Sequence, residues 1–78
     1  MVNLRHALHH AQHGRWDKAH QMVQNDDSML GAWMHGILHI QEGDLSNAAY
    51  WYERAKRNFT VRGSVEEELG RLEAELLD

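Results

Sequence analysis

Cysteine and proline are both missing from these 78 residues. The first absence removes disulfides, thiolate zinc sites and cysteine nucleophiles, so packing must supply the stability. The second leaves no residue that would break a helix by lacking an amide. Val, Ile and Thr are too few and too scattered for strands, whereas Ala, Leu, Glu, Gln and Arg recur. No apolar run follows a basic start, and none approaches the ~18 residues of a membrane span, so neither a signal peptide nor a membrane segment is expected. A cytoplasmic location is the default expectation. A chain this short builds one small core, which points to a single all-α domain over residues 1–78.

What charge there is lies unevenly. Residues 1–63 carry seven Lys or Arg against six Asp or Glu, and residues 64–78 carry one Arg against six acids, so the net −4 belongs to the tail. The basic group Arg54, Lys56, Arg57 and Arg62 reads as the solvated end of a helix, where cations suit the C-terminal dipole. It is too narrow a footprint for nucleic acid, which is not expected as a partner.

Helical periodicity divides the chain. Asn3 caps a first helix with Leu4, Ala7, Leu8 and Ala11 on one side, stopped by Gly14. A second runs from about Arg15 or Trp16 to Gln24, with Trp16, Ala19 and Val23 inward. After the polar break at residues 25–28, Ser28 caps a third, whose Trp33, Ile37 and Ile40 share a face. Gly43 ends it in the left-handed conformation and Asp44 caps the fourth, with inward positions Leu45, Ala48, Tyr52, Ala55 and Phe59, fading after Asn58. Ser64 and Glu67 have the reciprocal capping spacing that opens a fifth, striped by Val65, Leu69, Leu72 and Leu76.

Sliding the chain against itself by 29 residues exposes a repeat. His6 falls on His35, His10 on His39, Gly14 on Gly43, Ala19 on Ala48 and Val23 on Tyr52. Two stacked hairpins, about 4–24 and 29–58, with a capping helix at about 64–77, are the expected architecture. On Gly36, Gly43, Asp44, Ala48, Tyr52 and Ala55 the second hairpin resembles tetratricopeptide and Sel1-like helical repeats. The first keeps only Ala7, Gly14 and Ala19 of that pattern, and the period is shorter than those families use. The segment GAWMHGILHIQEGDLSNAAYWYERA is also similar to part of a group of small uncharacterised bacterial proteins, a likeness that carries no activity.

The repeat resemblance implies a concave groove lined by the first helix of each hairpin: Leu4, Leu8 and Ala11, then Leu30, Trp33, Ile37 and Ile40. Such an apolar groove needs cover. The leucine stripe of the tail helix can lie in it, or the tail can pack on the end of the last hairpin as a solenoid cap. Left open, the groove is a surface for a protein or peptide, or for self-association. Trp33, Ile37 and Ile40, with Tyr50 and Trp51, are then the partner-binding candidates, and a small tetratricopeptide-like interaction module is the first functional expectation.

Seven histidines supply the second. His6 with His10, and His35 with His39, are spaced four apart, which brings two imidazoles to one helical face where they can share a metal. Stacked hairpins set the first helices side by side, and His20 lies at the edge of the face between them. His10, His20, His35 and His39 are therefore the candidate ligands, with Glu42 one turn beyond His39 as an oxygen donor, a set suited to divalent zinc, copper, nickel or non-haem iron. Two plainer readings stand beside it. Simple helical phase puts the histidines opposite the apolar stripes, on a solvated face. The repeat register makes them packing positions, each imidazole satisfied by a carbonyl or a tyrosine hydroxyl. No phosphate loop or nucleophile elbow is present, and the serines are explained by capping, so no enzyme activity is expected.

Overall fold

In the computed structural model, which describes residues 3–77, the chain is helical almost throughout, with no strand among those residues. The order is α1 (Leu4–Gln12), α2 (Trp16–Val23), α3 (Met29–Glu42), α4 (Leu45–Arg54), a 3-10 turn (Phe59–Val61) and α5 (Val65–Leu77). Side chains start four of the helices where the sequence places them. Asn3 accepts from the amides of Arg5 and His6, Ser28 from Gly31 and Asp44 from Asn47. Ser64 and Glu67 satisfy each other's backbone amides, at 2.9 and 3.1 Å. Only α2 begins without a side-chain cap. Gly14 and Gly43 take φ of 74° and 88°, which a residue without Cβ adopts cheaply.

The two hairpins α1/α2 and α3/α4 pack through α2 against α3, so α3 has neighbours on every side. Nine consecutive residues, Gly31 to His39, are buried. Trp33, Met34, Ile37 and Leu38 are completely enclosed. At ~1.5–3 kcal/mol for each large apolar side chain, this helix carries much of the core. The backbone of α5 lies against α1 and α3 rather than α4. Its stripe of Leu69 and Leu72, with Leu76 at the edge, therefore fills the groove between the first helices of the hairpins. Of the two placements expected for the tail helix, the groove is the one adopted.

A buried carboxylate fastens this helix down. Glu68 is 2% exposed and accepts from the Tyr52 hydroxyl at 2.6 Å, the Trp33 indole at 3.3 Å, the Gly63 amide at 3.3 Å and Arg71 at 2.5 Å. Burial by itself would raise its pKa. The hydrogen bonds outweigh that and hold the carboxyl below its ordinary value. Burial and the Glu68 carboxylate together push the Tyr52 phenol far up. At the far end of α5, Arg5 donates to the Leu76 carbonyl from two nitrogens, at 3.2 and 2.7 Å, satisfying a helix-terminal acceptor.

One boundary differs from the periodicity. α4 ends at Arg54, short of Asn58, because Lys56 turns left-handed at φ 59° and Asn58 caps the 3-10 turn instead. Phe59 reaches the core from that turn, meeting Tyr52 edge to face at 5.3 Å. The close approach of α3 and α4 depends on Gly36. A Cβ there would lie 2.6 Å from the Tyr52 ring and 3.2 Å from the Ala48 carbonyl oxygen. Gly36→Ala should lower stability to urea by about 1–3 kcal/mol. Gly70→Ala, where an added Cβ meets nothing within 4 Å, should raise it by about 0.5–1 kcal/mol. Equal denaturation midpoints for the two variants would contradict this packing.

Candidate metal centre

Because α3 has no solvated face, its two histidines are driven inward. His35 is 5% and His39 6% exposed, one turn apart on the side of α3 that faces α2 and α4. Half-buried His20 of α2 meets them, and the three residues present ring nitrogens within 4.8 Å of one another. The Nε2 atoms of His20 and His35 are 3.1 Å apart, close to the ~3.3 Å between two nitrogen ligands on tetrahedral zinc.

Aromatic rings wall the cluster. Trp16, one turn before His20 on α2, stacks on it with centroids 4.7 Å apart and planes 9° apart. Trp51 of α4 stacks on His35 at 3.9 Å and 12°. The Trp16 indole is fixed in turn, donating to the Leu38 carbonyl at 2.6 Å. His39 lies against His35 and edge-on to His20, with centroids 4.8 and 5.4 Å away. Its Nδ1 is 2.5 Å from a Glu42 carboxylate oxygen. In the neutral imidazole that contact places the proton on Nδ1 and leaves a lone pair on Nε2, the arrangement that prepares a histidine to bind a metal.

His35 differs. Its Nε2 meets His20, but its Nδ1 is buried with no hydrogen-bond partner. Wherever its proton is placed, one of its polar atoms goes unsatisfied, at a cost of about 1–3 kcal/mol. Burial, then the neighbouring His20 and His39, pushes its pKa down from 6.5 to about 4. His20 is lowered too, by burial and then by His39. At neutral pH these two imidazoles are therefore uncharged, the form that coordinates metals.

Of the expected ligands, His20, His35 and His39 come together and His10 does not. In the repeat His10 corresponds to His39, but His39 is enclosed because α2 lies across it, and no helix precedes α1 among the described residues. His10 is half-buried beside His9, its own Nδ1 without a partner, and its pKa is lowered by burial and then by Arg15 and Lys18. His6, His9 and His13 are exposed. The solvated-face expectation fails for His35 and His39, because a helix enclosed on all sides has no such face. A tyrosine or carbonyl partner for His35 is not found either.

The partner-binding candidates divide as well. Trp33 and Ile37 are fully enclosed, their groove being filled by α5, while Ile40 and Trp51 are half-buried and Tyr50 is 53% exposed. The sequence reading missed two features: the indoles of Trp16 and Trp51 as walls of the imidazole cluster, and Glu68 as a buried anchor. For Glu68 a signal was there, since it falls at i+3 within the stripe Val65, Leu69, Leu72.

Compared with known proteins, the chain matches no family model, no curated protein and no solved structure with significant similarity. No helix among the described residues is long and apolar enough to cross a membrane.

The depressed histidine has a consequence for the metal-free protein. Between pH 6.5 and about 4 the unfolded chain binds a proton at His35 that the folded chain refuses, so stability falls as pH drops through that window and levels off below it. One such group gives a slope of up to about 1.4 kcal/mol per pH unit. Urea midpoints across this range should show the loss, and His35→Phe should flatten it. An unchanged slope in that variant would mean that His35 protonates freely in the fold.

Proposed function

We propose that this protein binds a divalent transition metal through His20, His35 and His39, with Glu42 orienting His39. The observation that carries this reading is the convergence of three imidazoles from two helices, one with a buried nitrogen that no protein group satisfies. A cluster built only for packing has no need of three imidazole donors at this spacing. Three imidazole nitrogens suit zinc, copper, nickel or ferrous iron, and a set of three leaves a further position for water or another small ligand. Glu42 also supplies negative charge next to the cation.

The alternative, an interaction module of the tetratricopeptide or Sel1-like kind, has less to rest on. Its groove candidates Trp33 and Ile37 are interior, and it retains only Tyr50 and the outer parts of Ile40 and Trp51.

The test is calorimetry and elemental analysis on untagged protein, with zinc, nickel and cobalt added after chelator treatment. A single site is expected per chain. His39→Ala and His35→Ala should each abolish it, and Glu42→Gln should weaken it by about 10–100-fold. Metal at about 100 times its dissociation constant should add about 2.7 kcal/mol of stability. Stoichiometry well under one, or binding that survives both alanine substitutions, would overturn the reading.

A further inference from the structure

On the opposite flank of the α3/α4 hairpin is a cleft of ≈ 460 Å³ lined by Tyr52, Lys56, Arg57, Arg62, Glu68 and Arg71, with Asn58 and Val61 at its rim. Four of the chain's eight Lys and Arg gather here, in a protein of net charge −4. No histidine lines it. Its one carboxylate, Glu68, is neutralised by Arg71 and fully engaged by the Tyr52, Trp33 and Gly63 donors. Arg57 also reaches the Glu75 carboxylate at 3.4 Å, so Lys56 and Arg62 are the cations of the cleft that make no ion pair among the described residues.

The arginines are held in place without exhausting their donors. Arg57 lies over the Trp33 ring, 3.4 Å from its centroid. Arg62 lies over Phe59 at 3.8 Å and uses one nitrogen on the Phe59 carbonyl. Arg71 uses one on Glu68. A guanidinium has five N–H donors, so each keeps several for a ligand while its orientation is already fixed.

Lys56 gives the independent observation. The same helix-ending motif closes α1, α3 and α4. In each, the residue two past the last helical one, or the one before it, turns left-handed, and the next amide reaches back five residues: Arg15 to His10, Asp44 to His39, Arg57 to Tyr52. The first two are closed by glycines, Gly14 and Gly43, and the third by Lys56 at φ 59°. A side chain in that conformation is strained where glycine is not. At this one place the chain carries a cation in the costly conformation, on the wall of its basic cleft, and among the described residues Lys56 makes no ion pair.

We propose that this cleft binds a small anion bearing a phosphate group, with Lys56, Arg57, Arg62 and Arg71 as its donors. Fork-shaped guanidiniums match the oxygens of a phosphate, and Lys56 adds a point charge. The volume exceeds that of a single phosphate and fits a small phosphorylated molecule.

Lys56→Gly separates binding from folding, because it relieves the strain while removing the charge. The variant should melt higher by about 4 °C or more. On metal-free protein at fixed ionic strength, pyrophosphate and ADP should each shift the amide resonances of residues 56–63 saturably in the wild type, and bind the variant about fivefold or more weakly. Tighter binding of ADP than of pyrophosphate assigns the organic portion to the cleft, and equal binding assigns the phosphate alone. Equal affinities in variant and wild type, or shifts that chloride reproduces at the same ionic strength, overturn the proposal. Because the metal is absent throughout, neither result bears on the imidazole site.

Discussion

Everything in this small protein follows from enclosing one helix on all sides. A chain of 78 residues has little interior to offer, and α3 occupies most of it, with α2 and α4 on one side and α1 and α5 on the other. Enclosure of nine successive residues buries the apolar side chains that stabilise the fold. It also takes out of water every polar atom that those residues carry. The Trp33 indole and the two imidazoles must find partners in neighbouring helices or go unsatisfied.

The two flanks of α3 solve that problem differently. Toward α5, Glu68 receives four donors and the Trp33 indole is satisfied, so the network is closed and binds the tail helix to the hairpin. Toward α2 and α4, three imidazoles face one another between two indoles, and each hydrogen bond among them must share a single proton. His39 is completed by Glu42, whereas His35 is left with a buried nitrogen that nothing meets. A closed network reads as structure and an open one as a place for a ligand, which is why the metal is proposed on this flank only.

The internal duplication also shows how position in a stack overrides sequence equivalence. Gly14 and Gly43 end their helices by the same motif, and Ala19 and Ala48 are both fully buried. His10 and His39 nevertheless differ in environment, since only the second hairpin has another hairpin's helix lying across its first. A histidine copied with its helix becomes a candidate ligand in one unit and a half-buried surface residue in the other.

The sequence by itself determined the elements, because caps, glycine stops and periodicity act within a few residues of one another. Asn3, Ser28, Asp44 and the Ser64/Glu67 pair start helices by bonds to amides two or three residues on, and these are legible without any tertiary knowledge. The end of α4 was less legible, as a lysine in the left-handed conformation leaves no compositional mark. Tertiary structure alone decided which faces met. Helical phase gives the angle between His35 and Ile37 on α3, but whether either is buried depends on how many helices surround α3. The tail helix could equally have capped the stack, and its choice of the groove buried Trp33 and Ile37 and brought Glu68 to Tyr52. The meeting of His20 with His35 and His39 likewise rests on contact between helices of different hairpins, and no local spacing encodes that.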